Sequence, residues 1–160
     1  MTEIIHKTFP FDVEAFLQEG NECRLATNGP TVRPTWFHWE DGAFWFISGP
    51  HAKLYHRIQK DPKISIVIDV FETNTGRVLQ VMATDTVEIT PYDTGRAKRM
   101  LDRYLGPDES KWSTKPDDYP GYLRDGGPPG VVWLKMVPKR ILSFNFSFGL
   151  DFESLETLEG

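Results

Sequence analysis

Two aromatic-rich runs joined by a tight turn constrain the fold of this chain most. The first run spans residues 33–39 and the second spans residues 43–48, with Asp41-Gly42 between them. An Asp-Gly pair between apolar runs is a strong signal for a β-hairpin, because both residues tolerate the left-handed backbone of a tight turn. The sequence therefore predicts two strands connected by a short turn.

A short basic helix is predicted directly after the second run. Gly49-Pro50 cannot continue a sheet, and residues 52–60 contain good helix formers. Asp61-Pro62 ends the helix, because the residue before a proline avoids the helical region. One side of the helix carries its apolar residues, namely Leu54, Tyr55 and Ile58.

The start of this helix is a candidate phosphate site. Free backbone N–H groups and the ammonium group of Lys53 converge there, and both favour an anion. The aromatic strands beside it offer an apolar wall on which a flat ring can lie. The segment holds five basic residues against one acid: Lys53, His56, Arg57, Lys60 and Lys63. A solvated helix face explains the same charges, so the residues alone leave both interpretations open.

Several other runs are predicted as strands. Residues 23–27 form a first strand, and residues 78–89 form one long strand whose alternating pattern indicates a single buried face. Residues 64–68 are nearly all apolar between breakers, which predicts a strand buried on both faces. Residues 131–137 and 141–146 are predicted to be the closing strand pair.

Two further helices are predicted. Asp12 is the expected N-cap of the first, which ends at Gly20 and covers one end of the strand assembly. Its apolar stripe consists of Val13, Phe16 and Leu17. Thr90 is the expected N-cap of the second, with Pro91 at the first helical position, and this helix continues to Tyr104. Its basic side chains are expected to face solvent: Arg96, Lys98, Arg99 and Arg103.

Residues 106–130 are the least regular part of the sequence, rich in proline, glycine and charge. A segment of this length without regular structure is usually functional or disordered. It carries Trp112, Tyr119 and Tyr122, which we expect to pack either against a cofactor or against a second subunit. The sequence does not separate these two roles.

Composition limits the class of protein. A chain of 160 residues that is 39% hydrophobic is long enough for a single domain, with a lid helix in residues 1–20, the strand assembly in residues 23–146 and a tail in residues 147–160. Cys23 is the single cysteine, which excludes an internal disulfide and suits a reducing cytoplasm. A net charge of −5 argues against nucleic-acid binding. There is no 18-residue apolar run and no signal-peptide pattern, so we expect a cytoplasmic protein.

Other catalytic motifs are missing from the sequence. The four histidines, His6, His38, His51 and His56, lack the spacing of a metal site and have no cysteine partners. No Gly-x-Ser-x-Gly element and no Gly-x-Gly-x-x-Gly element occurs. We therefore expect neither a metal centre nor a hydrolase nor a dinucleotide-binding Rossmann domain.

Several of these segments together resemble the pyridoxamine-phosphate-oxidase-like split barrels, which are flavin- or deazaflavin-dependent oxidoreductases. The resemblance is carried by Trp36-Phe37 before the Asp-Gly turn, by Phe46-Ile47-Ser48 before the lysine-bearing helix, and by residues 61–66 and 133–141. It implies a mainly β fold with peripheral helices, built as a six-stranded antiparallel split β-barrel (the FMN-binding split barrel). It also implies a homodimer with the cofactor at the subunit interface and a small-molecule substrate.

The resemblance implies a set of cofactor-binding residues: Arg33, Pro34, Thr35, Trp36, Ser48, Lys53, Leu54 and Arg57. Family members often carry a basic pair where this chain has Lys53-Leu54, so the second basic residue is missing here. The implied activity is hydride transfer between a bound cofactor and a small organic molecule. The cofactor supplies that chemistry, and the protein supplies binding and orientation.

Two cofactors and two other functions remain open. FMN is the first choice of cofactor, and the deazaflavin coenzyme F-420 is the alternative, for whose longer acidic tail Arg57, Lys60, Lys139 and Arg140 are candidates. A protein that binds flavin or deazaflavin without turnover is a different function on the same fold. A haem-binding barrel is another, with His38, His51 or His56 as candidate ligands.

Overall fold

Ten strands and three α-helices make up residues 1–149, the part of the chain that the computed structural model describes. The strands are β1 (Glu3–His6), β2 (Cys23–Thr27), β3 (Thr31–Thr35), β4 (His38–Glu40), β5 (Ala43–Ser48), β6 (Lys63–Glu72), β7 (Arg77–Thr86), β8 (Glu88–Thr90), β9 (Val132–Met136) and β10 (Arg140–Asn145). The helices are α1 (Val13–Leu17), α2 (Lys53–Lys60) and α3 (Thr94–Leu105), and short 3-10 turns span Glu109–Lys111 and Tyr119–Leu123.

The strands form two sheets. Six strands lie in the order β1-β10-β7-β6-β2-β3, and four lie in the order β4-β5-β9-β8. Neighbouring strands are antiparallel except β1, which runs parallel to β10. The mainly β class, the six-stranded sheet and the split barrel are thereby confirmed, although the sequence analysis missed β1.

The main core lies between the two sheets. Leu25 and Ile66 face it from the six-stranded sheet, and Phe44, Phe46 and Leu134 face it from the other. The first predicted helix is present with its predicted N-cap, since the Asp12 carboxylate accepts a hydrogen bond from the Ala15 N–H at 3.0 Å, but it ends at Leu17 and not at Gly20. Its predicted stripe is buried in this core and consists of Val13, Phe16 and Leu17. Burial of these apolar side chains is the main source of stability.

A second apolar cluster lies on the outer side of the four-stranded sheet, where α3 covers it. Ala43 and Trp45 of β5 join Trp133 there, so β5 is buried on both faces. The prediction that residues 64–68 would be buried on both faces is wrong. Ile64, Ile66 and Ile68 are buried while Ser65 is exposed, since β6 presents one face to the core and the other outward.

The chain changes sheets inside two segments that were each predicted as one strand. The run 33–39 is divided at Trp36-Phe37 into β3 and β4, which belong to different sheets. The run 78–89 is divided at Val87 into β7 and β8, and the Val87 N–H donates to the Pro62 carbonyl oxygen at 2.9 Å. Both predictions of a continuous strand are wrong. At these points the backbone forms hydrogen bonds with residues that are distant in sequence and not with a neighbouring strand of the same sheet.

The predicted closing pair is also wrong. Val132–Met136 pairs with β5 and β8, whereas Arg140–Asn145 pairs with β7 and β1. The two strands are adjacent in sequence, but Pro138 lies in the connection at which the chain passes from one sheet to the other. Both predicted strands are therefore present, but they do not pair with each other.

The start of α3 differs from the prediction. Thr90 ends β8, and the helix is capped by Asp93, whose carboxylate accepts a hydrogen bond from the Arg96 N–H at 3.1 Å. Pro91 therefore lies before the helix and not at its first position. Asp is a strong N-cap residue, so local chemistry supports the later start.

The basic side chains of α3 do not form a solvated face. The Arg96 guanidinium lies 3.4 Å from the centre of the Trp45 ring, and Arg103 lies 4.9 Å from that of Phe37. Arg99 is half exposed and Lys98 is a third exposed, yet both are ion-paired. The expectation of a solvent-facing side chain is therefore wrong for Arg96 and Arg103, whose cation–π contacts attach α3 to the rest of the barrel, whereas Arg99 is exposed as expected.

Glu40 connects the β4–β5 hairpin to α3. Its carboxylate accepts hydrogen bonds from Arg99 Nε at 2.6 Å and from Arg96 Nε at 3.1 Å, and it lies 3.4 Å from His38 Nε2. The hydrogen bond from Arg99 is the main reason why the pKa of Glu40 falls to about 2. Burial lowers the pKa of His38, so that imidazole is neutral at pH 7.

We predict that Glu40→Gln removes an acid-sensitive part of the stability. Because the folded-state pKa of Glu40 is depressed, its contribution is complete above its ordinary pKa of 4.5 and is lost as the pH falls toward 2. Allowing for solvent screening, the contribution is roughly 1–2 kcal/mol. Urea unfolding at pH 7 and pH 3 measures it. An equal loss of unfolding free energy between these pH values in both proteins would contradict the prediction.

Tyr104 holds the crossing between β3 and β4. Its hydroxyl accepts a hydrogen bond from the Phe37 N–H at 3.2 Å and donates to the Asn21 carbonyl oxygen at 2.8 Å. Arg103 donates to the Phe37 carbonyl oxygen and, at 3.3 Å, to the Leu17 carbonyl oxygen. The peptide groups that leave the sheet are therefore satisfied by one end of α3.

We predict that Tyr104→Phe destabilises the protein by about 1–3 kcal/mol, because the Phe37 N–H loses its partner in a half-buried site. Urea unfolding measures the change. Tyr55→Phe is the matched control, since the Tyr55 hydroxyl forms no hydrogen bond within residues 1–149 and its loss should change stability by less than about 0.5 kcal/mol. Equal effects of the two substitutions would show that the crossing does not depend on Tyr104.

No helix among the described residues is long and apolar enough to cross a membrane. The single-domain organisation and the cytoplasmic location stay predictions. The predicted tail begins within the described part, where the Phe148 N–H donates to the Gly76 carbonyl oxygen at 2.7 Å. Residues 150–160 of that tail lie outside the described residues.

Candidate functional site

One face of β3 connects two cavities. Thr31, Arg33 and Thr35 are half-buried on this face, whereas Val32 and Pro34 point outward and are exposed. Thr35 lines a cavity with aromatic walls, and Arg33 lies close enough to Arg57, which lines a cationic cavity, for the two charges to interact. At about 3.3 Å per strand residue, Arg33 and Thr35 are roughly 7 Å apart.

The cationic cavity has a volume of about 390 Å³ and is lined by Asn28, Lys53, His56, Arg57, Lys60 and Asp61. Within residues 1–149, Lys53, Arg57 and Lys60 form no ion pair. Asp61 is the one acid in the wall, and its carboxylate accepts hydrogen bonds from the Asn28 side chain at 2.5 Å and from the Lys63 N–H at 3.1 Å. The hydrogen bond from Asn28 lowers the pKa of Asp61. The lining of the cavity therefore carries a net positive charge, with three basic side chains against one acid.

Arg33 adds a partly unsatisfied guanidinium. Its Nη2 donates to Thr31 Oγ1 at 3.1 Å, while its buried Nη1 has no hydrogen-bond partner among the described residues. Burial, followed by the charge of Arg57, lowers the pKa of Arg33. An anion beside these two guanidinium groups would accept a hydrogen bond from the free nitrogen of Arg33 and offset the repulsion between the two charges.

Helix α2 presents its first turn to the same region. Ala52 occupies the N-cap position, so no side chain satisfies the first N–H groups. Lys53 is the first helical residue, and its neighbour Leu54 is buried in the main core. The Leu54 side chain thus anchors the helix, and only its backbone N–H is available to a ligand. His56 Nε2 lies 2.6 Å from the Pro50 carbonyl oxygen, which ties the helix to the preceding turn.

The aromatic cavity has a volume of about 270 Å³ and is lined by Thr35, Trp36, Ile47, Met100, Leu101, Tyr119 and Tyr122. None of these lining side chains is charged. Trp36 lies in a stack of three rings, with Tyr104 at 4.5 Å and 10° and Tyr119 at 5.5 Å and 16°. Such offset parallel rings form a flat apolar wall.

Two segments run from the aromatic cavity to the cationic one. Along β3 the order is Thr35 and then Arg33, and from β5 into α2 it is Ile47 and then Lys53. Ser48 follows Ile47, and its buried hydroxyl has no hydrogen-bond partner within residues 1–149. The arrangement can hold a molecule with a flat ring at one end and an anionic group at the other.

The structure separates the predicted site residues into groups. Thr35 and Trp36 line the aromatic cavity, Lys53 and Arg57 line the cationic cavity, and Arg33 lies between them. The other three predicted residues line neither cavity: Pro34, Ser48 and Leu54. The role of all eight predicted residues in cofactor binding stays a prediction.

Residues that sequence reasoning did not assign to the site complete both cavities. Met100 and Leu101 of α3 are buried and line the aromatic cavity. The sequence indicated Tyr119 and Tyr122 only as aromatic residues in an irregular segment, and that aromatic content was the one sign of a role in the site. Asn28 lies in the β2–β3 turn, and nothing local to the sequence indicates its hydrogen bond to Asp61.

Other reactive groups lie apart from these cavities. Cys23 is fully buried, and burial raises the pKa of its thiol, so the thiolate is disfavoured. Within residues 1–149, no group of three or more histidine, cysteine or acidic side chains is arranged to hold a metal ion. The site therefore offers binding and orientation, with no metal-ligand set of its own in the described part.

A sequence profile for pyridoxamine 5'-phosphate oxidase matches residues 10–143, which is most of the chain. The chain belongs to the pyridoxamine 5'-phosphate oxidase family. A search of curated proteins gave no match to the sequence.

Solved structures show the same fold. A conserved hypothetical protein of Mycobacterium tuberculosis superposes with a TM-score of 0.68 at 14% identity, over 94% of this chain and 98% of that one. An F420 reductase superposes with a TM-score of 0.56 at 24% identity, over 83% and 98%. The haem storage protein HutZ of Vibrio cholerae superposes with a TM-score of 0.58 at 16% identity, over 79% and 87%. At these identities the likeness establishes the pyridoxamine 5'-phosphate oxidase fold and no more.

Proposed function

We propose that this protein is an oxidoreductase that binds FMN and transfers hydride between the bound flavin and a small organic molecule. The observation that carries the proposal is the surplus of positive charge where β3 meets α2. The charge of Arg57 acts on Arg33, neither arginine forms an ion pair within residues 1–149, and a buried nitrogen of Arg33 has no partner among those residues. A phosphate group would accept a hydrogen bond from the free nitrogen of Arg33 and would offset the repulsion between the two arginines.

The phosphate would be bound by the first turn of α2 and by three side chains. The uncapped N–H groups of the helix and the ammonium group of Lys53 approach from one side. Arg33 and Arg57 would add their planar guanidinium groups, each of which can donate two hydrogen bonds to phosphate oxygens. Ser48, which ends β5 before α2, has a buried hydroxyl without a partner among the described residues, but it lines neither cavity.

The ring of the cofactor would lie near Thr35 and Trp36. A bound flavin supplies the hydride chemistry, so this chain needs to exclude water and fix the ring's orientation. Trp36 is suited to that task, because stacking on the Tyr104 and Tyr119 rings fixes the position of its own ring. The side chains that line the aromatic cavity carry no acid and no histidine, so their contribution is binding and not proton transfer.

The deazaflavin coenzyme F-420 is the second candidate cofactor. The cationic cavity extends from Lys53 to Lys60 along the whole of α2, which provides room for more than one anionic group. The F420 reductase among the structural neighbours supports the same alternative. A haem-binding role has less support, because no histidine lines the aromatic cavity and His56 already bonds to Pro50.

We also propose that the protein acts as a homodimer. The outward face of the six-stranded sheet carries exposed apolar side chains, among them Val32 at 69% exposure and Phe71 at 62%. Exposed apolar surface of this kind is typical of subunit interfaces. Sedimentation equilibrium would report twice the chain mass of 18.4 kDa, and a monomer at micromolar concentration would contradict the proposal.

We predict that Lys53→Ala and Arg57→Ala each weaken FMN binding about 10- to 100-fold, the scale of one charge-assisted hydrogen bond. Quenching of flavin fluorescence on titration with the protein measures the dissociation constant. Riboflavin, which lacks the phosphate, should bind both variants and the unchanged protein equally.

Lys7→Ala is the matched control, because Lys7 is exposed and lies in neither cavity. FMN affinity unchanged in all three variants would show that the phosphate lies elsewhere. If the protein binds FMN but transfers no hydride from a supplied reductant to any acceptor, it is a flavin-binding protein, and the proposal of an oxidoreductase is contradicted. Tighter binding of the deazaflavin coenzyme than of FMN would select the second cofactor.

A further inference from the structure

A hydrogen bond in the lining of the cationic cavity joins the β2–β3 turn to the end of helix α2. The side-chain amide of Asn28 in the turn donates to the carboxylate of Asp61, the residue that follows the helix, at 2.5 Å. We propose that this Asn28–Asp61 bridge positions Arg33 for the phosphate, so that an acid in the lining favours the binding of an anion. The inference rests on the proposed function, because both residues act on the phosphate through Arg33.

The charge of Asp61 opposes anion binding when it is considered alone. Within the described residues Asp61 is the one acid that lines this cavity. The hydrogen bond from Asn28, followed by that from the Lys63 N–H, lowers the pKa of Asp61, so the carboxylate is ionised at neutral pH. An ionised carboxylate repels a phosphate. Asp61 can therefore favour an anion only through the groups that its carboxylate holds in place.

The bridge holds the β2–β3 turn against α2. One oxygen of the Asp61 carboxylate accepts from Asn28, and the other accepts from the Lys63 N–H at 3.1 Å, so the carboxylate is fixed on both sides. Gly29, the next residue of the turn, lies close to the helix as well. Arg57 Nη1 is 4.0 Å from the position that a Cβ atom would occupy on Gly29. The turn therefore meets α2 at Arg57 and the segment after α2 at Asp61.

The turn also determines where Arg33 lies. Thr27 and Thr31 face each other across the start of the β2–β3 hairpin, and their hydroxyl oxygens are 2.6 Å apart. The Arg33 guanidinium donates from Nη2 to Thr31 Oγ1 at 3.1 Å. These hydrogen bonds connect the guanidinium to the base of the turn, so a displacement of the turn also displaces Arg33.

Repulsion between two arginines acts against this arrangement. The hairpin carries Arg33 and the helix carries Arg57, and after burial the charge of Arg57 is the cause that lowers the pKa of Arg33. Without a ligand, this repulsion favours separation of the hairpin from α2. The Asn28–Asp61 bridge opposes that separation. Donors that are held in place before a phosphate arrives lose less conformational freedom on binding, which raises the affinity.

Isothermal titration calorimetry with FMN and with pyrophosphate tests the proposal on three variants. Asn28→Ala should weaken the binding of both ligands about 3- to 10-fold, because Arg33 is no longer held. Asp61→Ala should weaken both by a similar factor, although it removes a negative charge from an anion site. Asp61→Asn removes the same charge, but its amide can accept from the Lys63 N–H and donate to the Asn28 side-chain oxygen. It should therefore bind both ligands at least as tightly as the unchanged protein.

Asp108→Ala is the matched control. Asp108 accepts a hydrogen bond from the Ser110 N–H at 3.1 Å, as Asp61 accepts one from the Lys63 N–H, and it lines neither cavity. This substitution should leave the affinity for FMN and for pyrophosphate unchanged. Riboflavin, which lacks the phosphate, should bind all of these variants as it binds the unchanged protein, which shows that the ring site is intact.

A double-mutant cycle separates positioning of Arg33 from a general loss of structure. In an Arg33→Ala background, the further substitution Asn28→Ala should change the pyrophosphate affinity less than about 2-fold, because the residue that it positions is already absent. In a Lys53→Ala background, Asn28→Ala should have its full effect. A general loss of structure would weaken binding equally in both backgrounds.

Three results would overturn the inference. The first is tighter pyrophosphate binding by Asp61→Ala, since Asp61 would then act through its charge alone. The second is an unchanged affinity in Asn28→Ala, and the third is an equal effect of this substitution in the two backgrounds. If pyrophosphate responds as expected and the unchanged protein binds no FMN, the cofactor proposal fails and the inference holds. If the unchanged protein binds neither ligand, both fail.

Discussion

The crossing of the chain at Trp36-Phe37 is the constraint on which the rest of the structure depends. A strand that leaves one sheet for another loses its ladder of backbone hydrogen bonds, and buried peptide groups must then find other partners. Tyr104 and Arg103 provide them from the end of α3. The same contacts stack Tyr104 on Trp36, so the feature that splits the barrel also orients the ring that lines the aromatic cavity.

Two sets of basic residues in this chain behave in opposite ways. On α3, Arg96 and Arg99 form ion pairs with Glu40, and Arg96 also lies against the Trp45 ring. These contacts give both charged groups partners and hold the helix on the sheet. On α2, Lys53 and Arg57 have no such partner within residues 1–149. Basic residues without partners that surround a cavity are a better indicator of ligand binding than basic residues as such.

Local patterns in the sequence were sufficient for some elements and not for others. The bounds of β2, the hairpin at Asp41-Gly42 and the helix that begins at Lys53 were predictable, because each depends on neighbouring residues. The crossings at Trp36-Phe37 and at Val87 were not, since hydrogen bonds to remote residues create them. For the site, the place of Lys53 and Arg57 in the cationic cavity was predictable from their positions in the short helix that follows β5. The aromatic wall, in contrast, requires Tyr119 to return across more than eighty residues to Trp36.

The central claim is that one face of β3 connects a phosphate site to a ring site. A crystal structure of the protein with FMN tests it most directly. The account predicts the phosphate within hydrogen-bond distance of Arg33, Lys53 and Arg57, and the isoalloxazine ring beside Thr35 and Trp36. A complex in which these three cations face solvent while the flavin lies elsewhere on the barrel would contradict it.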